Sequence, residues 1–417
     1  MIRRLRKALA AAAVFTATAL STAVPVNAAT YTAVNGSTVD IDVMLVMDKE
    51  ALTPAETFSF KIEPGTAVNA TSGNAKIYAG IGSPTIGTAT FTVKQTTYNT
   101  AQATLTTGQN TTNGTTKITV IPTKVPGGGS ADYNASTQVF AHSAVTVNFS
   151  GVSFTEPGIY RYKITETSVT PTQGITLDTT AKYLDVYVKD TEAATPTLQV
   201  AGYVLHDSAS TQATSGTNPS GKAIGFTNLY TTYDLTLSKT VTGNAGSRDE
   251  YFDFTVTISG AQAGTKYTVS GNFDTSVPAN AQIGTAAHTN PTEITVGTGG
   301  TITQHFYLQN GQNIKIQGLA KDTKYSINED NTVLTNEGYS TTATVTGTGS
   351  FIASNRTATS KPASGTDTGV QADTTVAYTN SKTQVVPTGI IETILPGALL
   401  VVIAGAGFAL IRRTGKE

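Results

Sequence analysis

Phe252-Asp253-Phe254-Thr255-Val256-Thr257-Ile258 alternates apolar and polar side chains at every step, and Tyr183-Leu184-Asp185-Val186-Tyr187-Val188 has a similar alternation. A period of two places one set of side chains on one face of an extended chain, the pattern of a strand half buried in a core. Gly, Asn and Pro punctuate such runs about every ten residues, and no long helical periodicity interrupts them between the two ends of the chain. The expected fold class is therefore all-β, built from immunoglobulin-like β-sandwiches. Composition agrees: threonine, glycine, serine and asparagine are abundant, and there is no cysteine and no tryptophan. A net charge of −1 without a basic stripe argues against a nucleic-acid partner.

Both ends read as targeting segments. Arg3, Arg4, Arg6 and Lys7 precede the apolar stretch from Ala8 to Val24, and Val26-Asn27-Ala28 is a small-residue cleavage site. Residues 1–28 are thus expected to be a secretory signal peptide, cleaved from the mature chain. At the other end Val385-Val386-Pro387-Thr388-Gly389 is followed by an apolar run to Ile411 and by Arg412, Arg413 and Lys416. The uncharged stretch from Ile394 to Ile411 would rise about 27 Å as a helix, near the roughly 30 Å of a bilayer core. Its basic end would stay cytoplasmic. The plain alternative is a permanent C-terminal anchor, for which Pro396 and several glycines are poorly suited.

Residues 385–417 resemble the sorting signal of Gram-positive surface proteins. In that family a membrane transpeptidase, sortase, cuts between threonine and glycine, here Thr388 and Gly389. It passes the threonine to an amine on a cell-wall precursor or on another protein.

Between these ends the chain repeats a plan. Ala223-Ile224-Gly225-Phe226-Thr227-Asn228 and Thr375-Val376-Ala377-Tyr378-Thr379-Asn380 are short apolar strands closing on aromatic-Thr-Asn. Tyr162-Lys163-Ile164-Thr165-Glu166 and Tyr325-Ser326-Ile327-Asn328-Glu329 are strands ending in Glu. Two tandem domains, 29–230 and 231–384, are the simplest account. Polar insertions are read at about 95–136, 207–221 and 350–373.

One residue breaks the pattern of its strand. In Leu235-Thr236-Leu237-Ser238-Lys239-Thr240-Val241-Thr242 the odd positions face inward, and Lys239 falls among them. An unpaired ammonium there costs several kcal/mol or loses its proton. The ordinary alternative is a strand-end lysine that snorkels to water. Beside a Glu-ended strand and an Asn-ended strand, Lys239 gains a chemical use. Burial makes its amine neutral and nucleophilic, and a carboxyl that stays protonated can polarise the asparagine side-chain carbonyl and move protons. Attack expels ammonia and leaves a Lys–Asn amide cross-link.

Over essentially the whole mature region the chain resembles streptococcal-type sortase-assembled major (backbone) pilins with isopeptide-linkage domains, which implies two tandem CnaB-like β-sandwiches. The likeness is carried by Phe58-Ser59-Phe60-Lys61-Ile62-Glu63-Pro64 and by the run from Phe154 through Glu166. It continues in Gly174-Ile175-Thr176-Leu177-Asp178-Thr179-Thr180, the two Asn-ended strands, Lys239, Arg248, Phe252, Phe254 and Glu329. The resemblance implies Lys239, Asn380 and Glu329 as bond-forming lysine, asparagine and catalytic acid. In the first domain Glu166 and Asn228 match the acid and the asparagine, but Val43 stands where the lysine should be. No bond is expected there, unless Lys49 or Lys61 substitutes. The resemblance also implies a polymerisation lysine shortly before Asn228, which is Lys222, with Lys182 and Lys189 as rivals. Partners would be further copies of the chain, sortase, peptidoglycan at the base, minor pilins and a host surface. Localisation would be the cell wall of a Gram-positive cell. No cofactor or metal site is expected, since His142, His206, His288 and His305 are scattered. The reading is of a structural protein rather than an enzyme; the alternative is a wall-anchored monomeric adhesin or minor pilin.

Overall fold

The computed structural model describes residues 31–71, 75–98, 136–168, 171–192, 197–209, 223, 225–279, 286–330, 334, 336–348, 350–351, 360–361 and 369–384. Among them the chain is all-β apart from a turn of helix around Leu334. It forms two β-sandwiches in tandem, as the alternating patterns require. The stretch expected to be a signal peptide, the one expected to be a sorting signal with Val385, Val386, Pro387, Thr388 and Gly389, and Lys222 lie outside the described residues. None of the helical structure among the described residues is long and apolar enough to cross a membrane.

The first sandwich contains β1 (Thr38–Asp48), β2 (Glu56–Pro64), β3 (Thr88–Phe91), β4 (Gln138–Asn148), β5 (Gly158–Glu166), β6 (Lys182–Asp190), β7 (Leu198–His206) and β8 (Gly225–Tyr230). One sheet has the order β7-β6-β5-β2-β3. The other is centred on β8-β1-β4, with two-residue strands at its edges. The second sandwich contains β9 (Thr232–Thr242), β10 (Phe252–Ser259), β11 (Lys266–Asn272), β12 (Thr301–Leu308), β13 (Asn313–Ala320), β14 (Lys324–Glu329), β15 (Ser340–Thr346) and β16 (Thr374–Ser381). Its sheets run β11-β13-β9-β16-β15 and β12-β10-β14.

The two sandwiches share a topological signature. Their last long strand lies parallel to their first, β8 on β1 and β16 on β9. Parallel neighbours need a long crossover, and here almost a whole domain is the crossover. The first and last strands of each domain are therefore tied side by side.

Each domain has its own core, and the period-two reading accounts for it. In β9, Leu235, Leu237, Lys239 and Val241 are buried and Thr240 is exposed. In β10, Phe252, Phe254, Val256 and Ile258 face inward, with Asp253, Thr255 and Thr257 partly covered. In β1, Ile41, Val43, Leu45 and Met47 point into the first core. Met44 and Val46, of the opposite parity, are also fully buried, so this strand is covered on both faces over its second half.

Only Thr231 separates β8 from β9. Its N–H donates to the Gly174 carbonyl and its own carbonyl accepts from Lys321 N–H, each at 2.9 Å. Side chains add to the junction: Gln262 Nε2 donates to the Ala55 carbonyl (2.9 Å), and Lys315 Nζ reaches both Glu50 (2.7 Å) and Asp234 (2.6 Å). Burial works against the charge of Lys315, but the Asp234 and Glu50 carboxylates outweigh it and hold its pKa above the ordinary lysine value. The domains are docked rather than strung on a linker.

Candidate functional site: a buried lysine, glutamate and asparagine

Lys239, Glu329 and Asn380 reach one point in the second core from three strands. β9 and β16 pair in parallel, with Lys239 opposite Tyr378 and Val241 opposite Asn380. Side chains two apart on a strand share a face, so the lysine and the asparagine both point inward from adjacent strands. Glu329 comes from the end of β14 in the facing sheet. All three side chains are at most 1% exposed. Lys239 Nζ lies 2.5 Å from Glu329 Oε1, and Asn380 Nδ2 donates to the same oxygen at 2.8 Å.

Aromatic rings close the site from solvent. Nζ sits 4.2 Å from the Phe252 ring centre and 5.6 Å from that of Phe254. Phe254 in turn packs edge-on against Tyr378 at 5.1 Å. The Phe252 face attracts a cation, yet the loss of water is the larger effect: burial draws the Lys239 pKa down to about 8, against the opposing pull of Glu329. Burial also pushes the Glu329 carboxyl upward, opposed by Lys239 and the Asn380 amide. Both shifts favour a neutral amine beside a neutral acid. Glu329 Oε2 is buried with no partner, a position better suited to a neutral carboxyl than to a carboxylate.

Sequence reading missed one member of this cluster. Thr341 on β15 stands directly opposite Asn380, and its Oγ1 donates to Asn380 Oδ1 at 2.7 Å. A threonine in a strand of alternating threonines carries no motif, and only the cross-strand register reveals it.

The first domain holds the same scaffold without the amine. Asn228 is fully buried on β8 and Val43 is fully buried on β1. Phe226 lies opposite Val43, two positions before the asparagine, just as Tyr378 lies opposite Lys239. Both carboxylate oxygens of Glu166 are buried without a hydrogen-bond partner, as is Asn228 Nδ2. Burial pushes the Glu166 carboxyl up to about 8, with the nearby Asn228 amide pulling the other way. Asn228 Oδ1 accepts from Asp178 N–H at 2.7 Å.

Neither alternative lysine approaches this spot. Lys49 follows β1 in a turn and donates to the Ser136 carbonyl. Lys61 points to solvent, its side chain 62% exposed and paired with Glu63 at 2.7 Å. Lys182 is buried and held by Asp207 (2.7 Å) and Asp178 (3.3 Å), while Lys189 is exposed within the β6 ladder. Among the described residues no cluster of His, Cys, Asp or Glu could hold a metal ion.

Comparisons with known proteins bear on both domains. Residues 86–231 match the family described as Spy0128-like isopeptide containing domain. Residues 233–382 match one described as a domain of unknown function (DUF7601). A curated protein called "Pilin", from Streptococcus pyogenes serotype M1, is 28% identical over 384 residues, 90% of each chain. Among solved structures, the major pilin from Streptococcus pyogenes aligns with 84% of this chain and all of its own, at 23% identity and a TM-score of 0.47. A point mutant of that pilin aligns over the same shares with a TM-score of 0.48. The resemblance to streptococcal-type pilins with isopeptide-linkage domains, read above from motifs, is borne out by the match over residues 86–231 and by the curated relative.

Proposed function

We propose that the chain is the major subunit of a covalently assembled cell-surface pilus, and that its second domain closes itself with a Lys239–Asn380 amide bond. Sortase would cleave between Thr388 and Gly389 and join Thr388 to Lys222 of the next copy, with peptidoglycan taking the last subunit at the base. The relative called "Pilin" supports the assembly. Lys222 is favoured over its rivals because Lys182 is buried in ion pairs and Lys189 sits within a sheet, whereas Lys222 follows a Ser- and Gly-rich stretch.

The observation that carries the reading is the meeting of Lys239, Glu329 and Asn380 around one carboxylate oxygen. In the reaction the neutral Lys239 amine attacks Cγ of Asn380. Glu329, protonated at the outset, gives its proton to Nδ2, the nitrogen that must leave as ammonia, and takes one back from Nζ. Glu329 Oε1 touches both nitrogens, so one group can serve as base to the first and acid to the second. The bond spans first strand to last, closing a loop of about 140 residues worth about 4–5 kcal/mol if it acts as a disulfide does. A chain without cysteine obtains that constraint by other chemistry.

Intact mass and denaturing gels test the two halves of the proposal separately. The mature chain is expected to weigh one ammonia less than its sequence, a deficit abolished by Lys239→Ala or Glu329→Ala. Wall extracts are expected to show a high-mass ladder that collapses on Lys222→Ala. A full-mass chain removes the cross-link, and a single monomer band removes the polymer in favour of a wall-anchored adhesin.

A further inference from the structure

Addition of the Lys239 amine to Cγ of Asn380 drives an electron pair onto Oδ1. Negative charge forming among side chains this deeply buried needs a donor already in place. Glu329 does not supply it, because the amide presents its nitrogen to that carboxyl, with Nδ2 to Oε1 at 2.8 Å. This orientation suits the departure of ammonia, since the acid stands beside the leaving nitrogen. It turns Oδ1 toward β15, where Thr341 Oγ1 donates to it at 2.7 Å.

The first domain repeats the arrangement by a different route. Asn228 occupies the matching place on β8, and its Oδ1 accepts from the Asp178 backbone N–H at 2.7 Å. In both domains the carbonyl oxygen of the strand-end asparagine is thus held by a donor from outside the lysine and glutamate positions. One donor is a hydroxyl and the other a main-chain amide, so the common element is the hydrogen bond.

We infer that Thr341 is a catalytic residue of the cross-linking reaction, its hydroxyl stabilising the oxyanion that forms on Asn380 Oδ1. The inference rests on the cross-link proposed above. The Nζ–Cγ bond forms, Oδ1 holds the displaced electron pair while accepting from Thr341, and the pair then returns as the Cγ–Nδ2 bond breaks. One proton leaves Nζ for Glu329 and one reaches Nδ2 from Glu329. Ammonia departs, and Thr341 ends with the hydroxyl it began with. No oxidant or cofactor enters the balance.

The test follows ammonia loss with time after synthesis. The full mature chain is made by cell-free translation and sampled for intact mass, with the linked peptides mapped to Lys239 and Asn380. Thr341→Ser keeps the donor and is expected to react within a few-fold of the unaltered chain. Thr341→Val keeps the shape and removes the donor, and a slowing of about 10²–10³-fold is expected. Glu329→Gln, unlinked throughout, supplies the melting temperature of a folded chain without the bond. Thr341→Val must melt at that temperature before it links, which separates lost catalysis from lost folding. Thr341→Val reacting as fast as the unaltered chain overturns the assignment alone, and so does a Thr341→Ser chain as slow as Thr341→Val. An unaltered chain that never loses ammonia overturns the cross-link itself, and Thr341 with it.

Discussion

Val43 and Lys239 occupy one position in two copies of a plan, and they differ by an amine. Around Val43 the rest of the apparatus remains: Glu166 with two unpartnered oxygens, and Asn228 with an unpartnered Nδ2 and a capped Oδ1. This residue pattern carries a cost. With a carboxyl drawn up to about 8, the folded domain keeps a proton that the unfolded chain releases in the ordinary carboxylate range. Its contribution to stability therefore falls as pH rises from that range through about 8. Val43→Lys should return the missing reactant. Before reaction the new ammonium costs several kcal/mol, but the acid beside it offers the partner that Lys239 has. We expect the variant to lose a second ammonia, with residue 43 joined to Asn228, and to gain thermal stability in the first domain. Adding Glu166→Ala should block the second loss. A folded Val43→Lys chain lacking only one ammonia would show that Glu166 and Asn228 no longer form a competent site.

At the scale of strands, the alternation of β9 and β10 was enough to place Lys239 inside and to fill the core around it. The Glu-ended and Asn-ended strands were legible because their motifs recur. Thr341 was not, since its role depends on which strand lies beside β16. Nor were the parallel pairs β8/β1 and β16/β9, because alternation fixes a strand's faces and says nothing of its neighbours. Burial of Met44 and Val46 escaped for the same reason. What β10 contributes is cover: Phe252 and Phe254 pack against Nζ, and burial draws the Lys239 pKa down to about 8. Phe254→Ala should cost about 3–5 kcal/mol by the cavity it leaves, and water entering that cavity should return Lys239 toward its ordinary, charged state. The rate of ammonia loss at neutral pH should fall well below that of the unaltered chain, while Phe254→Leu, which keeps the site dry, should retain most of it. Equal rates in all three chains would mean that desolvation is not what activates the amine.

At the scale of the whole molecule, the path of tension decides which cross-link matters. In the proposed polymer, force enters one subunit at Lys222 and leaves at Thr388. From Lys222 it runs along the backbone through β8 and Thr231 into β9, because only nine positions separate Lys222 from Thr231. It then crosses from Lys239 to Asn380 and leaves along the end of β16. Residues 31–221 hang beside this path and never bear load in series, while the cross-link shields residues 240–379. A first domain with Val43 in place of lysine is therefore mechanically tolerable, whereas loss of Lys239 is not. Single-molecule pulling from cysteines placed at 222 and 388 should show no unfolding step before the handles fail. Pulling from 31 and 388 should show one, the first domain, releasing roughly 200 residues at about 3.3–3.6 Å each. Lys239→Ala should add one step, the second domain, in each geometry, giving one step from 222 and two from 31. An unfolding step of the first domain under load applied at residue 222 would mean that the tension takes another route through the subunit.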